Sequence, residues 1–487
     1  MPALMSACVV VVVAMVAAIN LALPKLSASA LRPSSTALLW IVDAYILVFG
    51  CLLIPAGALG DRFGRKGVLL AGLSTFAAGC LASAAAPTVA VLLAGRVVTG
   101  LGAALVMPAT LSLLLQVTPP ARKPHAIATW TAATGAAGAL GNLGGGLVLQ
   151  WLPWQGLFLV VAPVAVALAV AVARIAPRGE RHPADLDLVG AALLTATVLA
   201  VLVGIIEGPE AGWTSPLVLG AFGAGIGLFA TFVARSLRVA NPLLDPRVFA
   251  IRRLRTGAFG VGAVFFGLFA LFFVNAQYLQ YAKGFSPLVT GVAILPLPLG
   301  MVVVSRRSVA LATRFGTRAV VTAGMVLVAV GLAGLSFATA GTPYLPYALA
   351  LVAIAAGMGL SVPSLSTGIM ASLPPQRAGM GSGLNSASRE IGAALGIAVV
   401  GTVMASRFAR ALPRALDGAG STSQALRQAH GLGAAVYADA VHAFTDAMAA
   451  GYRVIAAVVL VGAVVVSRQL RPADGQVRHS STRRAYT

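Results

Sequence analysis

Acidic residues are scarce in this chain, and lysine is scarcer. Asp and Glu number 13 of 487 residues against 34 Lys and Arg, and charged residues make up only 10%. Lysine occurs at positions 25, 66, 123 and 283 alone. So few charges cannot coat soluble domains of this length, and an apolar fraction of 59% argues the same way. Cysteine is nearly missing: Cys8, Cys51 and Cys80 lie in apolar runs, with no zinc spacing and no disulfide framework. No Gly-x-x-x-x-Gly-Lys-[Ser/Thr] phosphate loop is present, which argues against ATP-driven work by this chain alone. No nucleophile–base arrangement supports an enzyme. The first apolar run lacks an Ala-x-Ala site after a short apolar core, so it reads as a helix rather than a signal peptide.

What the chain does have is apolar runs of about 18 residues or more, recurring from end to end. In hydrocarbon each backbone N–H and C=O must be satisfied internally, which unbroken runs manage only as helices. They also lack the alternation of barrel strands. The expectation is an all-α membrane protein of about fourteen spans, among them 3–23, 256–281, 287–312 and 440–468. The net charge of +21 sits in short interhelical segments rather than on a soluble face, which excludes nucleic acid as a partner and sets orientation. Arg62, Arg65, Lys66, Arg122, Lys123, Arg178, Arg181, Arg314, Arg318 and Arg377 share one side. With an even helix count, both termini are then cytoplasmic. Residues 407–439 read as an external, partly amphipathic loop and 471–487 as a disordered tail. Abundant Ala, Gly and Val with little lysine suggests a bacterial protein of high-G+C origin, hence an inner-membrane location.

Several residues stand out against this background. Gly57-x-Leu59-x-Asp61-Arg62-x-Gly64-Arg65-Lys66 allows a tight turn in which Asp61 caps the next helix and pairs with a basic neighbour. It reads as a conformational latch, or more plainly as a positive-inside turn. Arg314-Phe315-Gly316 echoes Arg62-Phe63-Gly64 and suggests a duplicated bundle. The division is 1–182 and 239–470 for the two bundles, with an inserted helix pair at 183–238. Asp43 and Glu390 are carboxylates in a medium that disfavours their charged form, so both are candidates for proton exchange. Arg96 lies at a depth that permits a pair with Asp43; the alternative is a static ion pair. Arg389 points about 100° from Glu390 on a helix, so those two need not pair. Asn20, Trp130, Asn275, Gln277 and Asn385 are candidates for lining a cavity, or for ordinary helix–helix hydrogen bonds. Arg306 and Arg307 read as snorkelling to the cytoplasm. Asp439, His442 and Asp446 share a helical face loosely but have no fourth ligand, so no metal site is assigned.

The Gly57–Lys66 pattern resembles the signature loop of the major facilitator superfamily. Arg96-x-x-x-Gly100-x-Gly102 is similar to its fourth-helix motif, whose arginine the resemblance links to proton transfer. Gly138, Gly141, Asn142, Gly145 and Gly146 resemble the fifth-helix glycine motif of antiporters. Trp40-Ile-Val-Asp43-Ala-Tyr45, Glu207-Gly208-Pro209, Gly284-Phe285-Ser286-Pro287 and Arg389-Glu390-x-Gly392 are similar to the fourteen-helix drug:proton antiporters, especially the quaternary-ammonium exporters. The resemblance implies two six-helix bundles plus an inserted pair, with alternating access around a midplane cavity. It implies efflux of a lipophilic drug or antibiotic, with protons as the coupled partner, the proton gradient as energy source and no cofactor. Four positions depart from the pattern: Met15 and Met301 replace carboxylates, Asn142 a proline and Thr99 a glutamine. With two firmly intramembrane acids against two bases, a neutral or zwitterionic cargo is as well suited as a dication. An uncoupled facilitator and a membrane receptor or scaffold are the competing classes.

Overall fold

Helices dominate because nothing else satisfies an apolar backbone in lipid. A computed structural model describes residues 1–27, 29–31, 33, 35–177, 187–412, 416 and 422–470. Arg32, Arg178, Arg181, the boundary at 182/183 and the tail 471–487 lie outside the described residues. In chain order the first eight helices are α1 (Pro2–Ser27), α2 (Ser35–Phe63), α3 (Arg65–Ala84), α4 (Val89–Val117), α5 (Lys123–Trp151), α6 (Gln155–Ile175), α7 (Leu188–Ala211) and α8 (Pro216–Ser236). There follow α9 (Arg252–Gln277), α10 (Pro287–Ala293), α11 (Pro296–Phe315), α12 (Thr317–Leu335), α13 (Tyr344–Met370), α14 (Ala378–Ala411), α15 (Thr422–Leu432) and α16 (Ala434–Gln469). Fourteen stretches among the described residues are long and apolar enough to cross a membrane.

Two expected spans are interrupted. α9 runs into a π-helical turn at Tyr278–Ala282. The span expected at 287–312 is two helices, α10 and α11, parted just before Pro296 and Pro298. Proline removes an N–H and crowds the preceding turn, so a break there satisfies the chain locally. The segment 407–439 is mostly helical rather than a loop. α14 continues to Ala411, and the amphipathic α15 buries Leu426 and Ala429 against Val441 and Leu416 beside Tyr281 and Tyr437.

Packing falls into two sets. α1 lies on α5, and α4 lies on α2 and α3, with α6 behind α3. In the second set α9 lies on α14, α13 on α11 and α12, and α16 on α12 and α14. Lipid offers helices little hydrophobic drive to associate, so small residues set the closest approaches. A Cβ on Gly102 would sit 2.4 Å from the Phe76 nitrogen where α4 meets α3, and one on Gly357 2.3 Å from the Gly324 oxygen where α13 meets α12. The Arg-Phe-Gly echo is also structural. Gly64 and Gly316 both take positive φ, 95° and 84°, and Arg62 and Arg314 cover Phe63 and Phe315 at 5.3 and 5.2 Å. At the place of Asp61 the second turn has Thr313, which bonds only to its own helix.

The two sets meet through α2 on α14 and α5 on α11. α7 and α8 pair with each other, and α7 alone reaches α2 and α14. Their ends are tied by Asp187, which caps α7 through Gly190 N–H and accepts from the Arg235 guanidinium at 2.5 Å and from Leu243 N–H. Burial pushes the Asp187 carboxyl up, but these donors outweigh it and hold it below the usual carboxylate range. At the other end Trp213 stacks on Phe222 and donates to Thr402 Oγ1 at 2.9 Å, joining the α7–α8 turn to α14.

Candidate functional site

α2 ends at Phe63, and Gly64 turns the chain into α3 with no side-chain cap. The sequence reading had Asp61 capping α3; instead it reaches the N-terminus of α14. Its Oδ1 accepts from Gly379 N–H at 2.9 Å and its Oδ2 from Met380 N–H at 3.1 Å. The first turn of a helix has N–H groups without intrahelical partners and a positive dipole end, so a carboxylate there is doubly favoured. Arg65, almost fully buried, donates to Asp61 Oδ1 through Nε and Nη2 at 3.3 and 3.1 Å and to the Ser112 carbonyl through Nη1 at 3.4 Å. Lys66 donates to the Ala173 and Ala176 carbonyls at the end of α6. Gly57 is required by the same contact, since its Cβ would lie 2.2 Å from the Gly379 oxygen. Of the expected latch, Gly57 and Asp61 reach the other set, Arg65 braces Asp61, Gly64 makes the turn, and Arg62 and Lys66 serve their own set.

Asp43 is half-buried in α2. Arg96 is fully buried in α4, yet it makes no hydrogen bond to Asp43 through Nη1 or Nη2, both of which lack a partner. Its Nε donates to the Ile41 carbonyl at 2.8 Å, and its guanidinium lies 4.6 Å from the centre of the Tyr45 ring. Tyr45 in turn donates to the Val12 carbonyl of α1 at 2.9 Å. The pair permitted by depth is therefore not made in this conformation: the arginine grips the face of α2 that carries Ile41 and Tyr45. Those two are four residues apart, a helical spacing that was legible, and Tyr45 closes the Trp40–Tyr45 motif, but nothing in that motif tied it to Arg96.

Glu390 is half-buried in α14, its Cβ 3.9 Å from where a side chain on Gly50 would begin, with Leu202 of α7 beside it. Arg389 leaves the helix in another direction. It is 3% exposed, and its guanidinium lies 4.3 Å from the Phe265 ring centre and 5.3 Å from that of Trp130. Trp130 is fully buried and donates to Thr110 at 3.2 Å.

The remaining candidates separate. Asn385 is buried with neither amide atom hydrogen-bonded. Asn275 accepts from Tyr347 within the second set. Asn20 and Gln277 bond back to Val16 and Phe273 of their own helices. On α5 the glycines serve several neighbours. Gly141 and Gly145 meet Ala14 and Ala18 of α1, Gly138 meets Phe272 of α9, Gly135 is filled by Met301 of α11, and Gly146 reaches only Leu21. Asn142 is half-buried. Arg306 and Arg307 are exposed at the middle of α11. His442 and Asp446 form an exposed pair at 3.2 Å, and among the described residues no group of three His, Cys, Asp or Glu is placed to hold a metal ion. A cavity of about 580 Å³ opens beside the latch, lined by Arg65, Gln116, Lys123, Ile127, Thr367 and Ala378 among others.

Among the described residues, fourteen apolar spans, in two sets and a separate pair, with the sets tied by a carboxylate on a helix end and enclosing buried arginines, define a multi-pass membrane protein of transporter architecture. The chain belongs to the Major Facilitator Superfamily, whose family model matches residues 5–397. It is 34% identical to a methylenomycin A resistance protein of Streptomyces coelicolor over 76% of this chain and 78% of that one. It is 33% identical to a tetracenomycin C resistance and export protein of Streptomyces glaucescens, over 77% and 70%. Among solved structures, a human organic anion transporter superposes with a TM-score of 0.63 at 16% identity, covering 95% of this chain and 97% of that one. At that identity the likeness concerns the fold alone.

Proposed function

We propose that this chain exports lipophilic drugs or antibiotics across the bacterial inner membrane in exchange for protons, by alternating access. The observation that carries this reading is the Asp61 bond to the backbone of Gly379 and Met380. It joins one helix set to the other at one end of the molecule only, and its counterpart position is Thr313. A bond of this kind holds one end shut and must break for the sets to rock apart. The rocking units are residues 1–182 and 239–470, with 183–238 carried as an inserted pair whose α7 covers the α2–α14 seam. The Asp61 end, with its basic turns, faces the cytoplasm, and so do both termini. Resistance and export among the relatives supports the direction of transport.

Asp43 and Glu390 are the proton carriers in this reading, both half-buried along α2 and α14. Arg96 positions the face of α2 next to Asp43. The test is reconstitution with a panel of lipophilic antibiotics under an imposed pH gradient. Gradient-driven uptake in wild type that disappears in Asp43→Asn or Glu390→Gln is expected. Met15 and Met301, where acids stand in related exporters, favour an uncoupled facilitator as the second reading. Equal downhill flux with and without the gradient would establish that instead, and no flux of any compound would point to a receptor.

A further inference from the structure

Buried polar groups in proteins nearly always have hydrogen-bond partners, so a cluster without them calls for an occupant. Ser382, Asn385, Ser386 and Arg389 form such a cluster. Ser382 Oγ, Ser386 Oγ, both Asn385 amide atoms and Arg389 Nε and Nη1 are buried without a partner. The four positions fall on one face of α14 at helical spacing. Glycines bracket that face on either side: a Cβ on Gly383 would meet the Leu53 oxygen of α2, and one on Gly392 the Gly262 oxygen of α9. The stripe between them is turned toward the seam of the two helix sets.

Two features give this face a chemical preference. The Arg389 guanidinium lies over two aromatic rings, Trp130 from one set and Phe265 from the other. It remains charged, and its Nε and Nη1 make no hydrogen bond to any carboxylate. The neighbouring Glu390 leaves α14 on the side of Gly50. The cavity beside Asp61 lies about one helical turn from the stripe along both helices. Ile127 lines it one turn before Trp130, and Ala378 lines it one turn before Ser382. Its lining includes the cations Arg65 and Lys123 and no carboxylate. A helical side chain leans toward the N-terminus of its helix, so Arg389 reaches down toward that cavity.

We infer that the cargo site lies at Arg389, Trp130 and Phe265 and takes a planar aromatic compound carrying an acidic oxygen, a carboxylate or phenolate. The rings hold the aromatic plane, and the open guanidinium N–H donors take the anionic oxygen in charge-assisted bonds. Ser382, Asn385 and Ser386 then offer bonds to further polar substituents. Lys123 and Arg65 at the mouth draw an anion in from the cytoplasmic side, and an inside-negative potential favours its exit. This inference rests on the chain being a transporter but not on proton coupling.

The experiment uses three probes with one ring system: 2-naphthoate, 2-naphthalenemethanol and 2-naphthylmethylammonium. Their equilibrium binding to the purified full chain in lipid nanodiscs is measured at pH 7.5 with no gradient, against empty nanodiscs. Wild type should bind the carboxylate on the order of tenfold tighter than the alcohol, the effect of a charge-assisted hydrogen bond, and the ammonium weakest. Arg389→Gln should abolish the carboxylate's advantage over the alcohol, and Arg389→Lys should keep part of it. Charge-independent binding, a preference for the ammonium, or no binding of any probe to wild type overturns the inference without recourse to a variant. So does an advantage that survives in Arg389→Gln. Failure of proton coupling appears separately, as gradient-independent flux in vesicles with the charge preference intact.

Discussion

The carboxylate of Asp61 caps a helix that begins 318 residues further along the chain, at the backbone N–H of Gly379. Arg65 holds that carboxylate from the other side. The bond is made to backbone N–H groups. It needs a helix end without Cβ atoms in the way, which Gly57 and Gly379 supply.

Asp61→Asn retains the size of the side chain but loses the charge that favours both the helix end and Arg65. Charge-assisted hydrogen bonds contribute about 1.5–3 kcal/mol, so the ratio of closed to open molecules should fall roughly ten- to a hundredfold. Spin labels at the exposed Ala121 and Gln376 should then report a longer and broader distance distribution at the Asp61 end. An unchanged distribution would show that the latch does not set this equilibrium.

Two glycines of neighbouring helices make a paired test of the closed seam. A Cβ on Gly57 would stand 2.2 Å from the Gly379 oxygen, whereas one on Gly67 meets nothing within 4 Å. Gly57→Ala should cost about 1–3 kcal/mol of overpacking in the closed state and abolish resistance in a pump-deficient host. Gly67→Ala should confer resistance like wild type. Equal behaviour of the two variants would refute the tight crossing.

Asp187 carries a pH dependence whose sign follows from its bonds. Its folded-state carboxyl is held below its ordinary value, so the stabilisation is fully present above that ordinary value, about 4. It is lost as pH falls through the depressed value. Arg235→Gln should therefore lower thermal stability by about 1–3 kcal/mol at pH 7, and the gap from wild type should close in strong acid. A gap that stays constant from pH 7 into strong acid, about pH 1, would contradict the pairing.

How far the chain could be read in advance depended on whether a signal was local. Hydropathy located the spans, and the glycine at each Arg-Phe-Gly turn marked a left-handed residue that both Gly64 and Gly316 adopt. Proline was ambiguous. Pro55, Pro108 and Pro363 sit inside unbroken helices, while Pro296 and Pro298 begin a new one after a break, and the surrounding packing rather than the residue makes that difference. The Arg96 pairing was similarly open. Depth along two helices left Asp43 in reach, but rotation about the helix axis brings Ile41 and Tyr45 to the guanidinium instead.

By itself the sequence determined that this is a many-span helical membrane protein with a basic side, because solvation of a backbone in lipid depends only on the run of residues. It also marked Asp43 and Glu390 as carboxylates in a medium that disfavours their charged form, and Asp61 as a cap within a basic turn. Tertiary structure alone decided what those charges face. A helix N-terminus distant in sequence, two aromatic rings contributed by separate helix sets, and a stripe of unpartnered polar atoms leave no local trace, since each is created only when helices cross at one register.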